Sequence, residues 1–340
     1  MSANTGSWRA AHGKLWYDDP WYRIAWIVWP QALGLLLFVT LWLYQPGGPS
    51  LLPWAKPIIE TPRVPPLPAV KEPAKEPAPP APAEPPADIL AHCKSGSFPE
   101  MIQGCTSLLA SGNLKGGSIA EAYWHRAWAY YSTKQYQLSM SDYDRAIAIS
   151  PGLSEYYNDR AVLWIELGNN DRALQDLDQA ILLKPNYFLA FLNRGVALRN
   201  LKRPNEALFA LNIAIDGDPT RWLAFENRAA IYEERSDWKA TFDDANKLIE
   251  LAPNYQMGYA FRGHAYLESG QQLPAIADFT KAISIDPNYG YGYRMRGRAY
   301  YFLNQFDNAM ADFQAALRID PNDSFTIGFM NELKHRQRSR

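Results

Sequence analysis

The stretch DQAILLKPNY, residues 178–187, ends in the same three letters as NKLIELAPNY at 246–255 and TKAISIDPNY at 280–289. Each reads as a helix closed by a turn. Proline restricts the residue before it and cannot occupy a helix interior, so the preceding helix must stop. Asparagine favours the turn, and Tyr187, Tyr255 and Tyr289 can open the next helix by packing on the last. The break recurs with a fixed period: Pro151, Pro185, Pro219, Pro253, Pro287 and Pro321 are spaced by 34 residues without exception. The repeat over 188–221 makes the same stop with DPT. A constant period of this length is the sequence signature of a solenoid.

With proline as position 32 of each repeat, other columns align. Position 8 is always small: Ala127, Ala161, Gly195, Ala229, Gly263, Gly297. Position 11 is large and apolar: Tyr130, Trp164, Leu198, Tyr232, Tyr266, Tyr300. Position 20 is small, and position 24 is large (Tyr143, Leu177, Leu211, Phe279, Phe313) except for Ala245. Small side chains let two helix axes approach, and bulky neighbours fill the remaining volume. The pattern resembles the tetratricopeptide repeat (TPR), a pair of antiparallel helices. The resemblance implies an all-α solenoid of six repeats, 120–153, 154–187, 188–221, 222–255, 256–289 and 290–323.

One column departs from the family pattern. Position 7, commonly leucine, is arginine in all six repeats: Arg126, Arg160, Arg194, Arg228, Arg262 and Arg296. Position 23 is aspartate in five, Asp142, Asp176, Asp244, Asp278 and Asp312, with Ala210 in the third. The arginines could form a ladder for an anionic ligand. Because the opposite charges recur in step, structural ion pairs within or between repeats are the favoured expectation.

The N-terminal third is organised differently. Residues 24–44, IAWIVWPQALGLLLFVTLWLY, carry no charge and as a helix would span about 31 Å, one bilayer core. Aromatic residues flank both ends, and Arg9, Lys14 and Arg23 precede the segment while the next basic residue is Lys56. That bias predicts one transmembrane helix with residues 1–23 in the cytoplasm, in a bacterial inner membrane. No small-residue cleavage site follows Tyr44, which argues against a signal peptide. Residues 45–87 hold most of the prolines and cannot build a core, so an extended, disordered linker is expected. Its Lys-Glu-Pro units resemble the linker of TonB energy-coupling proteins, but neither the spanning segment nor the C-terminal region follows that family.

Residues 88–119 read as two short helices forming an N-terminal cap. Beyond an N-in anchor lies the oxidising periplasm, where Cys93 and Cys105, the chain's only cysteines, are expected to form a structural disulfide. At the other end, residues 324–340 read as a capping helix, with Phe325, Phe329, Met330 and Leu333 covering the last repeat, then a basic tail.

A formal net charge of −1 offers no field for nucleic acid. The five histidines are scattered, none in a metal-ligand spacing, and no catalytic or nucleotide motif occurs, so no catalytic residue, metal or cofactor is predicted. Recognition is what remains. In TPR proteins the first helices line a concave groove that holds a peptide or a partner's helix. Carried over at positions 2, 5, 9 and 12, that groove comprises an aromatic patch (Trp124, Trp128, Tyr131), an aliphatic middle (Val162, Ile165, Leu189, Leu192, Val196) and a far end of Tyr291, Arg294, Arg298 and Tyr301. Glu155, Glu166, Glu226, Glu233 and Glu234 add acid along it. Arg294 and Arg298, one turn apart, are expected to hold a carboxylate of the partner. The function expected is a periplasmic scaffold binding another envelope protein. The alternatives are an accessory subunit of a redox, cytochrome-maturation or secretion machine, and a cell-wall or peptide hydrolase.

Overall fold

The computed structural model describes residues 87–338. The expected cytoplasmic segment, the membrane helix over 24–44, the linker up to residue 86 and the last two residues of the tail lie outside the described residues. Among the described residues there are fifteen helices and no strand. None of these helices is long and apolar enough to cross a membrane.

Two helices form the cap, α1 (Ala87–Ser95) and α2 (Phe98–Ala110). Twelve form the repeats: α3 (Gly117–Ser132), α4 (Tyr136–Ile149), α5 (Ser154–Glu166), α6 (Asn170–Leu183), α7 (Phe188–Asn200), α8 (Pro204–Gly217), α9 (Trp222–Glu234), α10 (Trp238–Leu251), α11 (Gln256–Glu268), α12 (Gln272–Ile285), α13 (Gly290–Phe302) and α14 (Phe306–Ile319). The last helix is α15 (Ser324–Arg338). Every second helix starts at position 17 and ends at position 30, so the hairpins are in phase along the array.

Two kinds of turn set that phase. From the second repeat on, the amide of position 34 donates to the carbonyl of position 31, as in Tyr187 to Lys184 (3.0 Å) and Tyr289 to Asp286 (3.0 Å), with proline second in the turn. Within each repeat, position 15 is left-handed: Lys134, Gly168, Lys202, Ser236, Gly270 and Asn304. The next amide reaches back to the carbonyl of position 11, as in Arg203 to Leu198 (2.9 Å), which closes the first helix with a Schellman motif.

The core forms where position 8 meets position 24. A Cβ on Gly195 would lie 2.6 Å from Leu211 Cγ, and one on Gly297 would lie 2.8 Å from Phe313 Cε1. Glycine therefore makes room for the large partner. Where position 24 is small, as Ala245, its partner Ala229 carries a methyl group, and both are fully buried.

The arginine column holds five of the six hairpins together and joins each hairpin to the unit before it. Arg228 Nε and Nη2 donate to both oxygens of Asp244 (2.8 and 2.7 Å), and its Nη1 donates to Asn212 of the preceding repeat (2.7 Å). Arg126 with Asp142, Arg160 with Asp176, Arg262 with Asp278 and Arg296 with Asp312 repeat the same two-pronged bond. Their third nitrogens reach back to Thr106, Asp144, Asn246 and Thr280. Arg194, facing Ala210, instead gives its Nε to Asp178 of the repeat before (2.8 Å).

Both ends are covered. Cys93 and Cys105 are disulfide-bonded with Cα atoms 4.6 Å apart, joining α1 to α2, and α2 packs on α3. On α15, Leu333 is fully buried and Phe329 packs against Phe313 and edge-to-face with Tyr301, whereas Phe325 stays partly exposed.

Candidate binding face of the first helices

First helices of neighbouring repeats pack on one another as well as on their own partners: α3 with α5, α5 with α7, α7 with α9, α9 with α11 and α11 with α13. Second helices of neighbouring repeats form no such series among the described residues. The first helices therefore present one continuous face, and the groove residues inferred from sequence all belong to these helices.

At the N-terminal end of this face, Trp128 is 44% exposed and stacks on Tyr131, with centroids 5.8 Å apart. Tyr131 in turn lies 6.1 Å from Tyr136 at the start of α4, whose hydroxyl donates to Glu166 Oε1 (3.2 Å). Trp124 is turned inward: its Nε1 donates to Asp159 Oδ2 of the next repeat (2.8 Å), and its ring packs on Tyr156. Burial pushes the Asp159 carboxyl above its ordinary value, against the hydrogen bonds from Trp124 and Asn158.

The middle is less open than expected. Leu192 is buried at 3% exposure, because it packs into the central core rather than outward. Leu189, Val162, Ile165 and Val196 are half-buried.

The far end is filled by the chain's own groups. Arg294 pairs with Asp323 (3.2 Å) and lies over the rings of Tyr291 and Phe325. Arg298 pairs with Glu268. Tyr301, expected at the surface, is 9% exposed and bonds Glu332 of the capping helix. The two arginines thus already hold carboxylates, each a different one. Tyr291 meets His264 Nδ1 (2.9 Å), and the same nitrogen lies 2.6 Å from Glu233 Oε1.

His264 was not singled out from the sequence, yet it is the hub of this end. Its Nε2 lies 3.4 Å from Glu268, and its ring packs 5.0 Å from Trp238. Burial works against its protonation, but the bonds and charges of Glu233 and Glu268 outweigh that and raise its pKa above 6.5. The His264 bond, opposed by burial and aided by Arg298, lowers Glu268 to about 2. Elsewhere on this face, position 17 of one repeat meets position 13 of the next, 30 residues on, as in Tyr136 with Glu166 and Asn170 with Asn200.

Among the described residues no group of three or more histidine, cysteine or acidic side chains could hold a metal ion.

The tetratricopeptide repeat family matches residues 120–152, 159–221, 258–289 and 290–323. The fourth repeat, with its Ala229 and Ala245 pair, falls outside these matches but keeps the same helix phase. No curated protein matches the chain by sequence. Among solved structures, a chain of the APC/C hetero-tetramer Cut9-Hcn1 is similar with a TM-score of 0.61 at 15% identity, over 72% of this chain and 48% of that one. The chain thus spans about half the length of that relative. PilW, a type IV pilus biogenesis factor, is similar with a TM-score of 0.56 at 17% identity, over 62% of this chain and 98% of PilW. A tetratricopeptide repeat protein from Parabacteroides merdae ATCC 43184 gives 0.53 at 18% identity, over 70% and 93%. At such identities the likeness speaks for the fold alone. Periodic helix breaks, in-phase hairpins and family matches agree, and the chain is a tetratricopeptide repeat protein.

Proposed function

We propose that this chain is a membrane-anchored scaffold whose repeats bind another protein of the bacterial cell envelope through the first-helix face, with the repeats in the periplasm. The observation that carries the reading is exposed Trp128 stacked on half-buried Tyr131 on that face. Large rings left partly in water on a continuous helical surface mark interaction sites. The Cys93–Cys105 disulfide supports an oxidising compartment, and the uncharged segment 24–44 supports the anchor.

Photo-crosslinking in cells tests it. A photoreactive residue at 128 or 189 should give discrete adducts with one envelope polypeptide, whereas one at Phe209, exposed on the second helix α8, should give none. Equal adduct patterns from both faces would contradict the assignment of the binding face.

A further inference from the structure

We propose that Trp128, Tyr131, Tyr136 and Glu166 form a box that takes an arginine side chain of the bound peptide. The inference rests on the first-helix face being the partner site, and it names the chemistry recognised there.

The molecule contains a filled version of the same frame. In the fourth and fifth repeats, Trp238 at position 17 and Glu268 at position 13 of the next repeat enclose His264, and Arg298 adds a second cation to Glu268. Three repeats earlier, the equivalent positions are Tyr136 and Glu166, again an aromatic ring and a carboxylate. The residues equivalent to His264 and Arg298 are Val162 and Val196, which bring no charge. The frame is retained and its cations are not.

Its surroundings suit a guanidinium. Tyr123, Trp164, Tyr187, Tyr259, Tyr291 and Phe302 each lie under a cation of the chain. Among the described residues none stands over Trp128, Tyr131 or Tyr136, and none pairs with Glu166. Trp128 and Tyr131 are inclined by only 26°, offering a flat shelf to a planar cation, and Glu166 sits at the end of the run. A guanidinium can lie against ring faces while its edge donates two parallel bonds to a carboxylate, whereas an ammonium does the second poorly.

Fluorescence anisotropy on the full chain in detergent tests the box with a labelled alternating serine–arginine peptide and its citrulline and lysine counterparts. The arginine peptide should bind about tenfold more tightly than either counterpart, and Glu166→Gln should remove about that factor. Val162→His, which fills the box from inside as His264 fills its own, should weaken arginine-peptide binding below the pH at which it deprotonates. Asp307→Asn, on exposed α14, should leave binding unchanged. Equal affinities for arginine and citrulline, equal losses from Glu166→Gln and Asp307→Asn, or lysine binding as well as arginine would each overturn the proposal. Adducts at position 128 together with equal arginine and citrulline affinities would remove the box and leave the binding face standing.

Discussion

Arg228 is half-buried with both oxygens of Asp244 bound to it, and Asp244 is only 4% exposed. Removing the acid would strand a guanidinium that has lost most of its water. Asp244→Ala should therefore cost about 3 kcal/mol in urea-unfolding free energy. Asp178, the partner of Arg194, has a 59% exposed side chain, so Asp178→Ala should cost about 1 kcal/mol or less. Equal costs would mean that burial does not set the worth of these pairs. Packing is as local as charge. Gly195→Ala should cost about 1–3 kcal/mol because its methyl would overlap Leu211, and Leu211→Ala in the same chain should recover part of that, copying Ala229 with Ala245. If the double variant melts below both single ones, the assigned contact is wrong. The pairing of arginine with aspartate was legible because both keep the period. The third arginine bond was not, since its acceptors Thr106, Asp144, Asn212, Asn246 and Thr280 share a hydrogen-bonding oxygen and no residue type. Leu192 and Tyr301 misled for a related reason: a residue at a groove position can turn toward the adjoining helix, and periodicity does not say which way it turns.

Helix stops divide into two kinds with different legibility. The proline turn between repeats was plain in the sequence, because the ring itself forbids the helix. Asp218 and Asp286 reinforce it by accepting from amides two residues on. The turn inside each repeat was hidden. Its left-handed residue is glycine at Gly168 and Gly270, but Lys134, Lys202, Ser236 and Asn304 hold the same conformation. A side chain there is strained, whereas glycine is not. Lys202→Gly should raise the unfolding free energy by about 1 kcal/mol, read from the urea midpoint at unchanged slope. A loss of stability would show that the lysine side chain contributes more than its backbone costs.

At the scale of the molecule, the array is closed at one end by a disulfide-bonded hairpin and at the other by α15, and its first-helix face changes character along its length. The N-terminal end leaves rings open, and the C-terminal end is filled by His264, Glu233, Glu268 and Arg298. That filling gives the array a pH dependence with two limbs. Because His264 has a raised pKa, its contribution is full below 6.5 and is lost as pH rises through the folded value. Because Glu268 is lowered to about 2, its contribution is present above 4.5 and is lost as pH falls toward about 2. Urea midpoints across pH should show both limbs, His264→Gln should flatten the alkaline one, and Glu268→Gln should flatten the acid one. Curves of His264→Gln and wild type that stay parallel above pH 6.5 would contradict the cluster. The repeat architecture was legible from one proline column, but this cluster was not, because its members come from three repeats and different positions within them.

The central claim is that each hairpin completes its core on its neighbours, in register with the period. Hydrogen exchange read by mass spectrometry on the full chain tests it most directly. The account predicts protected windows matching the twelve repeat helices, stepping by 34 residues, with fast exchange at the turns around 134, 168, 202, 236, 270 and 304. Protection spread without that period, or concentrated across the proposed turns, would contradict it.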